Sequence, residues 1–314
     1  MPRTVGSRTR AGQPGRPAGR PVVVASPPTA RVLDVIELLA RSADRSFTLA
    51  QIVRELRITW ATGHAILATL VERGWASRDE TDKSFRLGPA LAVASDQAVA
   101  ARPLGRLVRR AADDLSRELA MGASVMERTT DTVTITHFVV SDGSNLTGQA
   151  GDRIPYAAPF GQGFAAWEPS AARRAWLERS AITSESVAKR LEAVLSAVRA
   201  SGYTVQLMSP EMARAIHVIG VLREDSFSVA MRKVVDRLLA EVVTQTHLPG
   251  ERRAAGKLHV STIAAPVFDE RGRVALNVAV HPFEKLSPAG IERIAAVLTR
   301  VTRALSVGAA PADD

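Results

Sequence analysis

The stretch from Thr59 to Ala65, read as TWATGHA, opens a predicted helix with small side chains and one histidine. The hydroxyls of Thr59 and Thr62 and the ring of His64 can hydrogen-bond to base edges or phosphates, and alanine or threonine methyl groups can contact thymine. Short side chains let a helix approach closely, and free N–H groups at its start attract phosphate. The pattern predicts a helix that enters a groove of DNA, with a plain exposed helix as the alternative.

The flanking sequence predicts the elements that would hold this helix. TARVLDVIELLA has an apolar helical stripe with Thr29 as its N-cap, and Thr48 and Gln51 form a capping box for a second helix. Gly74 ends the third helix, and ASRD, ETDK and SFRL follow as a short hairpin. Three short helices followed by a hairpin are typical of a winged helix-turn-helix, although small three-helix domains of other function share this outline.

Helical periodicity divides the third helix into two faces. One stripe is centred on Leu67 and predicts burial, with Trp60 near it. The stripe consists of Gly63, Ile66, Leu67, Leu70 and Val71, and the opposite face carries Ala61, Thr62, Ala65, Ala68, Thr69 and Glu72, with His64 on the flank. The second face is therefore the one predicted to meet DNA.

Motifs for catalysis or metal binding are absent from the sequence. The histidines at positions 64, 137, 217, 247, 259 and 281 show no i, i+4 pair and no HExxH pattern. There is no GxSxG elbow, GQG at 161–163 is not a complete dinucleotide fingerprint, and the chain has no cysteine. We therefore predict a protein that is not an enzyme and uses no cofactor and no metal.

Length and composition predict two packed domains, with 314 residues, 46% hydrophobic and 23% charged. Of the net charge of +9, five units come from arginines in the first 27 residues. That proline- and glycine-rich segment is predicted to be a disordered tail, which either steers the protein toward phosphates or is an incidental leader. No apolar run approaches the roughly 20 residues of a membrane span, and Val22–Ala25 is too short for a signal peptide, so we predict a cytoplasmic protein.

The remainder of the chain predicts an α+β domain. A connecting helix is predicted from Pro89 to about Ala100, and an amphipathic helix from Pro103. Strands flank the polar turn at 129–131, and a clear hairpin turns at Gly272. Helices beside an antiparallel sheet indicate a sensor-type domain.

These motifs resemble the IclR family of bacterial transcription regulators. RVLDVIELLA…TLAQIVRELRITWATGHAILATLVERGWASRDETDKSFRLGPAL is similar to the family's DNA-binding domain, and GDRIPYAAPFGQGFAAW and IAAPVFDERGRV resemble landmarks of its effector domain. The resemblance covers residues 29 to 306. It implies a winged helix-turn-helix, a linker helix and a GAF-like effector domain, assembled as a homodimer or a dimer of dimers.

Two departures from the family pattern stand out. Members usually have Lys-Ser-Thr-x-His-Arg where this chain has WATGHA at 60–65, so Thr62 and His64 are kept while two basic residues are missing. Each lost phosphate contact lowers the slope of log affinity against log salt concentration by about one unit. The departure therefore predicts weaker DNA binding or a different operator sequence. The chain also carries an insertion at about 209–260, where SFSVAMRKVVDRLLAEVV predicts a helix.

The resemblance and the residue chemistry together give the expected sites. The residues expected to contact DNA are Thr48, Thr59, Trp60, Ala61, Thr62, His64, Ala65, Thr69, Arg73 and Lys83. The residues expected to bind an effector are Phe160, Gly161, Gln162, Thr262, Ile263 and Asn277. The N-terminus of the helix that follows Phe160 would offer N–H groups to a carboxylate, and Gln162 or Asn277 would orient it. Plain core packing is the alternative for Phe160 and Ile263.

The predicted organisation runs as follows: a disordered basic tail at 1–27, a winged helix-turn-helix at 28–90, a linker helix at 91–102, a GAF-like effector domain at 103–306 and a disordered tail at 307–314. The expected function is transcriptional regulation in response to a small organic effector, carboxylate or aromatic. The expected partners are a pseudo-palindromic double-stranded operator and a second copy of the chain, with no membrane. The alternative function is a winged-helix module for protein contacts.

Overall fold

The computed structural model describes residues 26–41, 45–141, 148–180, 185–207 and 256–308. The chain divides into two compact units, residues 1–100 and 101–314. Outside the described residues lie the basic tail up to residue 25, most of the insertion with its predicted helix, and residues 309–314. Within the described part of the chain, no helix is long and apolar enough to cross a membrane.

The first unit has the predicted winged helix-turn-helix plan. Its elements in chain order are α1 (Pro27–Ala40), α2 (Leu49–Leu56), α3 (Trp60–Glu72), β1 (Ala76–Arg78), β2 (Phe85–Leu87) and α4 (Pro89–Ala100). The strands β1 and β2 pair antiparallel, and Phe47 adds one further bridge to Phe85. The hairpin prediction is therefore confirmed.

Helix starts in this unit follow two different rules. The prediction that Thr29 caps α1 is wrong: the N-cap is Ser26, because Pro27 occupies the first helical position, where its fixed φ fits and no N–H is needed. The predicted capping box of α2 is confirmed. The Thr48 hydroxyl accepts from the Gln51 N–H, and the Gln51 side-chain oxygen accepts from the Thr48 N–H at 2.8 Å.

The core of the first unit fixes the depth of α3. Leu67 is fully buried among residues of α1 and α2, including Val35 and Ile52. A Cβ on Gly63 would lie 2.8 Å from the Val53 side chain, so α3 packs against α2 at a distance that only glycine allows.

The end of α3 is also set by a glycine. Gly74 has a φ of +73°, and the N–H of Trp75 donates to the Leu70 carbonyl at 2.8 Å. The N–H of Gly74 donates to the Val71 carbonyl at 3.0 Å, which completes a Schellman motif. The prediction that Gly74 ends the helix is confirmed.

The second unit is a mostly antiparallel α+β domain. Its elements are α5 (Pro103–Leu119), β3 (Gly122–Arg128), β4 (Thr132–Val139), β5 (Arg153–Pro155), α6 (Gln162–Ala165), α7 (Ser170–Glu178), α8 (Glu185–Ser201), β6 (Thr204–Leu207), β7 (Leu258–Phe268), β8 (Val274–His281), β9 (Glu284–Leu286) and α9 (Pro288–Leu305). Its sheet has the order β5-β4-β3-β8-β7-β6, with β9 also paired to β7. Residues 258–260 of the predicted insertion belong to β7.

Helices cover the two faces of this sheet differently. The long helices α5 and α9 pack on one face, in a core that contains Val125, Val278 and Leu298. On the other face, α6, α7 and α8 form a second core around Trp176 and Leu195. Because alternate residues of a strand point to opposite faces, β7 and β8 each contribute to both layers.

Candidate nucleic-acid interface and ligand site

The outer face of α3 is open, as the sequence predicts. Ala61, His64, Ala65 and Thr69 are exposed, and Thr62 is partly exposed. Trp60 does not lie near the core stripe: it is 58% exposed. Trp60 is the first residue of the helix. Side chains of a helix lean toward its N-terminus, so at this position no preceding turn covers the ring.

Hydroxyl groups stabilise the start of α3. The Thr59 hydroxyl accepts from the Thr62 N–H at 3.2 Å and lies 2.8 Å from the Thr62 hydroxyl. Further along, the Thr69 hydroxyl donates to the Ala65 carbonyl at 3.0 Å. These threonines therefore order the exposed face as well as lying on it. The Thr48 hydroxyl, which was also expected to contact DNA, is engaged in the capping box of α2.

Positive charge lies at the two ends of α3 rather than along it. The helix itself contains no lysine or arginine. Arg57 precedes it as the left-handed C-cap of α2, and Arg73 is the C-cap of α3; both side chains are exposed. Arginines at these positions are suited to phosphates beside a groove.

The tip of the hairpin is acidic. Asp79 accepts from the N–H groups of Thr81 and Asp82, and Lys83 is paired with Glu80 at 3.2 Å. Hydrogen bonds from Ser84 lower the pKa of Asp82. Lys83, expected to contact DNA, thus lies among carboxylates that repel phosphate, and its ion pair is exposed enough to exchange partners.

In the second unit, the glycine that precedes α6 lies close to an aromatic ring. Gly161 has a φ of +76°, and a Cβ there would lie 2.7 Å from the Tyr156 ring. The Tyr156 ring lies between Arg128 and Arg179, with guanidinium carbons 4.8 and 5.2 Å from its centroid, and burial raises its pKa to about 12. α6 itself has four residues, so its helix dipole adds little to any carboxylate site.

The strongest mark of a ligand site is a pair of buried amides. Gln162 is 2% exposed and Asn277 is 1% exposed. The Gln162 Oε1 and both the Oδ1 and Nδ2 atoms of Asn277 are buried with no hydrogen-bond partner. A Cβ on Gly163 would lie 2.6 Å from the Asn277 Oδ1, so α6 lies directly on this amide. Unpaired buried amides are costly, which makes them candidate contacts for a polar ligand.

A second polar group occupies the same face of the sheet. The His281 Nδ1 lies 3.2 Å from the Thr262 hydroxyl, and its Nε2 lies 2.9 Å from the Ser124 hydroxyl. The imidazole also stacks on Phe138 at 5.6 Å. Desolvation lowers the pKa of His281 to about 4, so the ring is neutral near pH 7.

Paired alanines lie between these two polar groups. Asn277 and His281 are four residues apart on β8, about 13 Å along an extended strand. Ala279 and its cross-strand partner Ala264 lie between them on the same face. The strip therefore has amides at one end, an imidazole and hydroxyls at the other, and small side chains in the middle.

Of the predicted effector residues, Ile263 does not belong with the others. It is fully buried in the core beneath α5 and α9, because it follows Thr262 directly and so points to the opposite face. Phe160 is partly buried beside α6, and its carbonyl accepts from the Trp176 indole N–H at 2.7 Å. The other four predicted residues lie at the strip. Thr262 and Asn277 belong to its strands, and Gly161 and Gln162 belong to the segment that covers it.

Sequence reasoning missed Ser124 and His281. Ser124 is 157 residues from His281 and meets it only because β3 is the neighbour of β8. GQG at 161–163 predicts a close backbone approach beneath a ligand or the core, and the position of Gly163 against Asn277 agrees with this prediction. Among the described residues, no group of three or more His, Asp or Glu side chains is arranged so that it could hold a metal ion.

The winged helix-turn-helix and its open third helix define a DNA-binding regulator. Residues 28–80 match the IclR helix-turn-helix domain. A relative from Paracoccus denitrificans, the HTH-type transcriptional regulator BhcR, is 27% identical over 294 residues, covering 90% of this chain and 88% of its own. By these two comparisons, the chain is similar to transcription regulators of the IclR family.

Solved structures agree on the fold. An IclR regulator from Alicyclobacillus acidocaldarius has a TM-score of 0.60 at 20% identity, covering 90% of this chain and 98% of its own. An IclR homolog from Microbacterium hydrocarbonoxydans, complexed with 4-hydroxybenzoate, has a TM-score of 0.56 at 17% identity, covering 88% and 99%. The predicted fold class, a winged helix-turn-helix followed by a GAF-like α+β domain, is confirmed.

Proposed function

We propose that this DNA-binding regulator responds to a small organic effector held on the sheet strip between Asn277 and His281. The observation that carries the proposal is the group of unpartnered amide atoms on Gln162 and Asn277. A ligand that pairs with them removes their desolvation penalty, so binding is favoured at these atoms.

The chemistry of the strip narrows the class of effector. Unpaired Oε1 and Oδ1 atoms accept hydrogen bonds, and the unpaired Nδ2 donates one. A phenol or hydroxy acid supplies both partners, since its O–H donates and its oxygens accept. The Asn277 and His281 side chains carry no charge near neutral pH, and the alanines between them leave room for a flat ring. A small aromatic or hydroxylated carboxylate fits this arrangement.

DNA recognition is assigned to the exposed face of α3, with Arg57 and Arg73 on the flanking phosphates. A homodimer, or a dimer of dimers, would place two such helices in successive major grooves of a pseudo-palindrome. Exposed apolar side chains in the first unit support self-association: Leu33 on α1 is 53% exposed and Val93 on α4 is 62% exposed. An effector changes DNA binding only by its different affinities for two arrangements of such an assembly.

The test uses the full chain and a labelled duplex from the region upstream of its own gene. Specific binding should survive excess random duplex and weaken steeply with salt. Duplex that competes no better than random DNA would refute sequence-selective binding and favour the protein-contact alternative. Light scattering of the same sample gives the oligomeric state.

The effector half is tested with 4-hydroxybenzoate as the first probe, followed by a panel of hydroxylated carboxylates. A ligand should raise the melting temperature and change the DNA affinity in the native chain. Asn277→Leu should abolish both responses while keeping ligand-free DNA binding. A ligand response that survives in Asn277→Leu would place the effector elsewhere.

A further inference from the structure

The side chains that usually read bases are missing from α3. Arginine and lysine read guanine, and asparagine and glutamine read adenine, each through two hydrogen bonds. The sequence of α3, WATGHAILATLVE, contains none of these four residue types. The exposed rings on the helix that can make a polar base contact are those of Trp60 and His64.

The threonine hydroxyls of α3 are already engaged. Those of Thr59 and Thr62 bond to each other at 2.8 Å, so at most one hydroxyl hydrogen of the pair stays available. The hydroxyl hydrogen of Thr69 is used on the Ala65 carbonyl. What Thr62 and Thr69 add to the outer surface is therefore chiefly a methyl group.

Apolar groups dominate the face that remains. Ala61, Ala65 and Ala68 are exposed at three- and four-residue spacing, so their methyl groups form one ridge. Trp60 adds a second exposed apolar surface at the N-terminal end of the helix, where it is 58% exposed. On the third helix of a matched helix-turn-helix domain, an exposed ridge of this kind is suited to an apolar partner in the groove.

We infer that α3 selects its DNA mainly through thymine methyl groups, with Trp60, Ala61, Ala65 and the methyls of Thr62 and Thr69 as the reading surface. The thymine C5-methyl is the apolar group that the major groove displays, and alanine, threonine and aromatic side chains are its known partners. Arginines at the helix ends position the helix on the backbone without reading sequence. This inference rests on the assignment of α3 as the DNA-reading helix.

The DNA side of the test begins with selection by the full chain from a random duplex pool. The enriched sequence is then made with deoxyuridine in place of thymidine, which removes the methyl and keeps the base pairing. Each lost contact should weaken binding about fourfold, from roughly one buried methyl, so two contacts give about fifteenfold. Deoxyuridine placed outside the enriched half-sites is the control and should change nothing.

The protein side removes the matching methyls. Thr69→Ser keeps the hydroxyl bond to Ala65 and deletes only the methyl, and Thr62→Ser does the same beside Thr59. Either variant should lose about fourfold on thymidine DNA and nothing further when the contacted thymidine is already deoxyuridine. Thr299→Ser is the matched control, because its hydroxyl also bonds the carbonyl four residues earlier, in α9 of the second unit.

Trp60→Ala adds a test of the apolar surface at the N-terminal end of the helix. It should weaken binding to thymidine DNA more than to the deoxyuridine duplex. Equal affinity for the two duplexes in the native chain would overturn the inference, and so would additive losses in the paired substitutions. A selection that yields no enriched sequence would instead refute sequence-selective binding itself, so the two failures are distinguishable.

Discussion

The two units differ in how completely they satisfy their buried polar groups. In the first unit, the described polar side chains at helix starts are paired: Thr48 with Gln51, and Thr59 with Thr62. The buried side-chain atoms without a hydrogen-bond partner, among the residues that the structure describes, all belong to the second unit. They are carried by Tyr156, Gln162, Trp167, Arg173, His259 and Asn277.

This difference matches what we propose that each unit binds. A helix that docks into a groove must keep its shape, so its caps and core are complete before DNA arrives. A site for a small molecule has to offer unpaired donors and acceptors, and a protein retains these at a cost in stability. The first unit therefore has a complete core and paired helix caps, whereas the second unit has buried polar atoms without a hydrogen-bond partner.

The largest expected effect tests the packing of the first unit. Leu67→Ala removes a fully buried side chain from the core and should lower the free energy of unfolding of this unit by about 3 kcal/mol. Hydrogen exchange of amides in α1 and α2 should accelerate by about two orders of magnitude. Glu55→Ala is the control and should leave exchange unchanged, because the Glu55 side chain on α2 is exposed. Acceleration confined to α3 would show that the unit is not one cooperative core.

The next largest expected effect is a loss of stability at low pH in the second unit but not in the first. Folding lowers the pKa of His281 from its ordinary 6.5 to about 4, so the unfolded chain binds more protons between these values. The stability of the second unit is therefore complete above about pH 6.5 and falls as the pH drops, by about 2 kcal/mol at pH 5.

Segment-resolved hydrogen exchange at pH values from 7 to 5, corrected for the intrinsic rate, measures this loss. His281→Gln keeps a donor and an acceptor for Thr262 and Ser124 and should flatten the profile. An equal acid-dependent loss in both units, or a profile that His281→Gln leaves unchanged, would assign the effect to other groups.

The sequence predicted the first unit better than the second. Three local signals led to the correct element: the capping box at Thr48, Gly74 and the hairpin. Trp60 and Thr29 were misplaced because a helix-wheel pattern does not tell where a helix begins. In the second unit, Asn277 and Gln162 were found by type, but the contacts of Ser124 with His281 depend on sheet order, which joins strands far apart in the chain. Ile263 follows Thr262 directly on β7, so the two side chains point to opposite faces and Ile263 packs in the core.

Replacing an unpaired amide should stabilise the second unit. Asn277→Leu has a similar shape and removes two unpaired atoms, so unfolding of the ligand-free protein should cost about 1 to 2 kcal/mol more. The contrasting variant is Ser261→Ala on β7, whose equally buried hydroxyl donates to the Gln206 carbonyl at 3.0 Å. It should destabilise the unit by about 1 kcal/mol. Denaturant unfolding that moves both variants in the same direction would refute the distinction between the two kinds of buried polar group.

The smallest expected effect concerns the cap that holds the reading end of α3. Thr59→Ala leaves the Thr62 N–H without its acceptor and should cost about 1 kcal/mol, as typical N-cap losses do. Thr59→Ser keeps the acceptor and should cost little. Because Trp60 and Ala61 are carried by that first turn, faster exchange of the amides at 62–64 should accompany weaker DNA binding in the alanine variant alone. If Thr59→Ala loses affinity while these amides remain protected, the Thr59 hydroxyl contacts DNA directly. The hydrogen bonds of the first unit would then be complete only in the free protein and would change when it binds DNA.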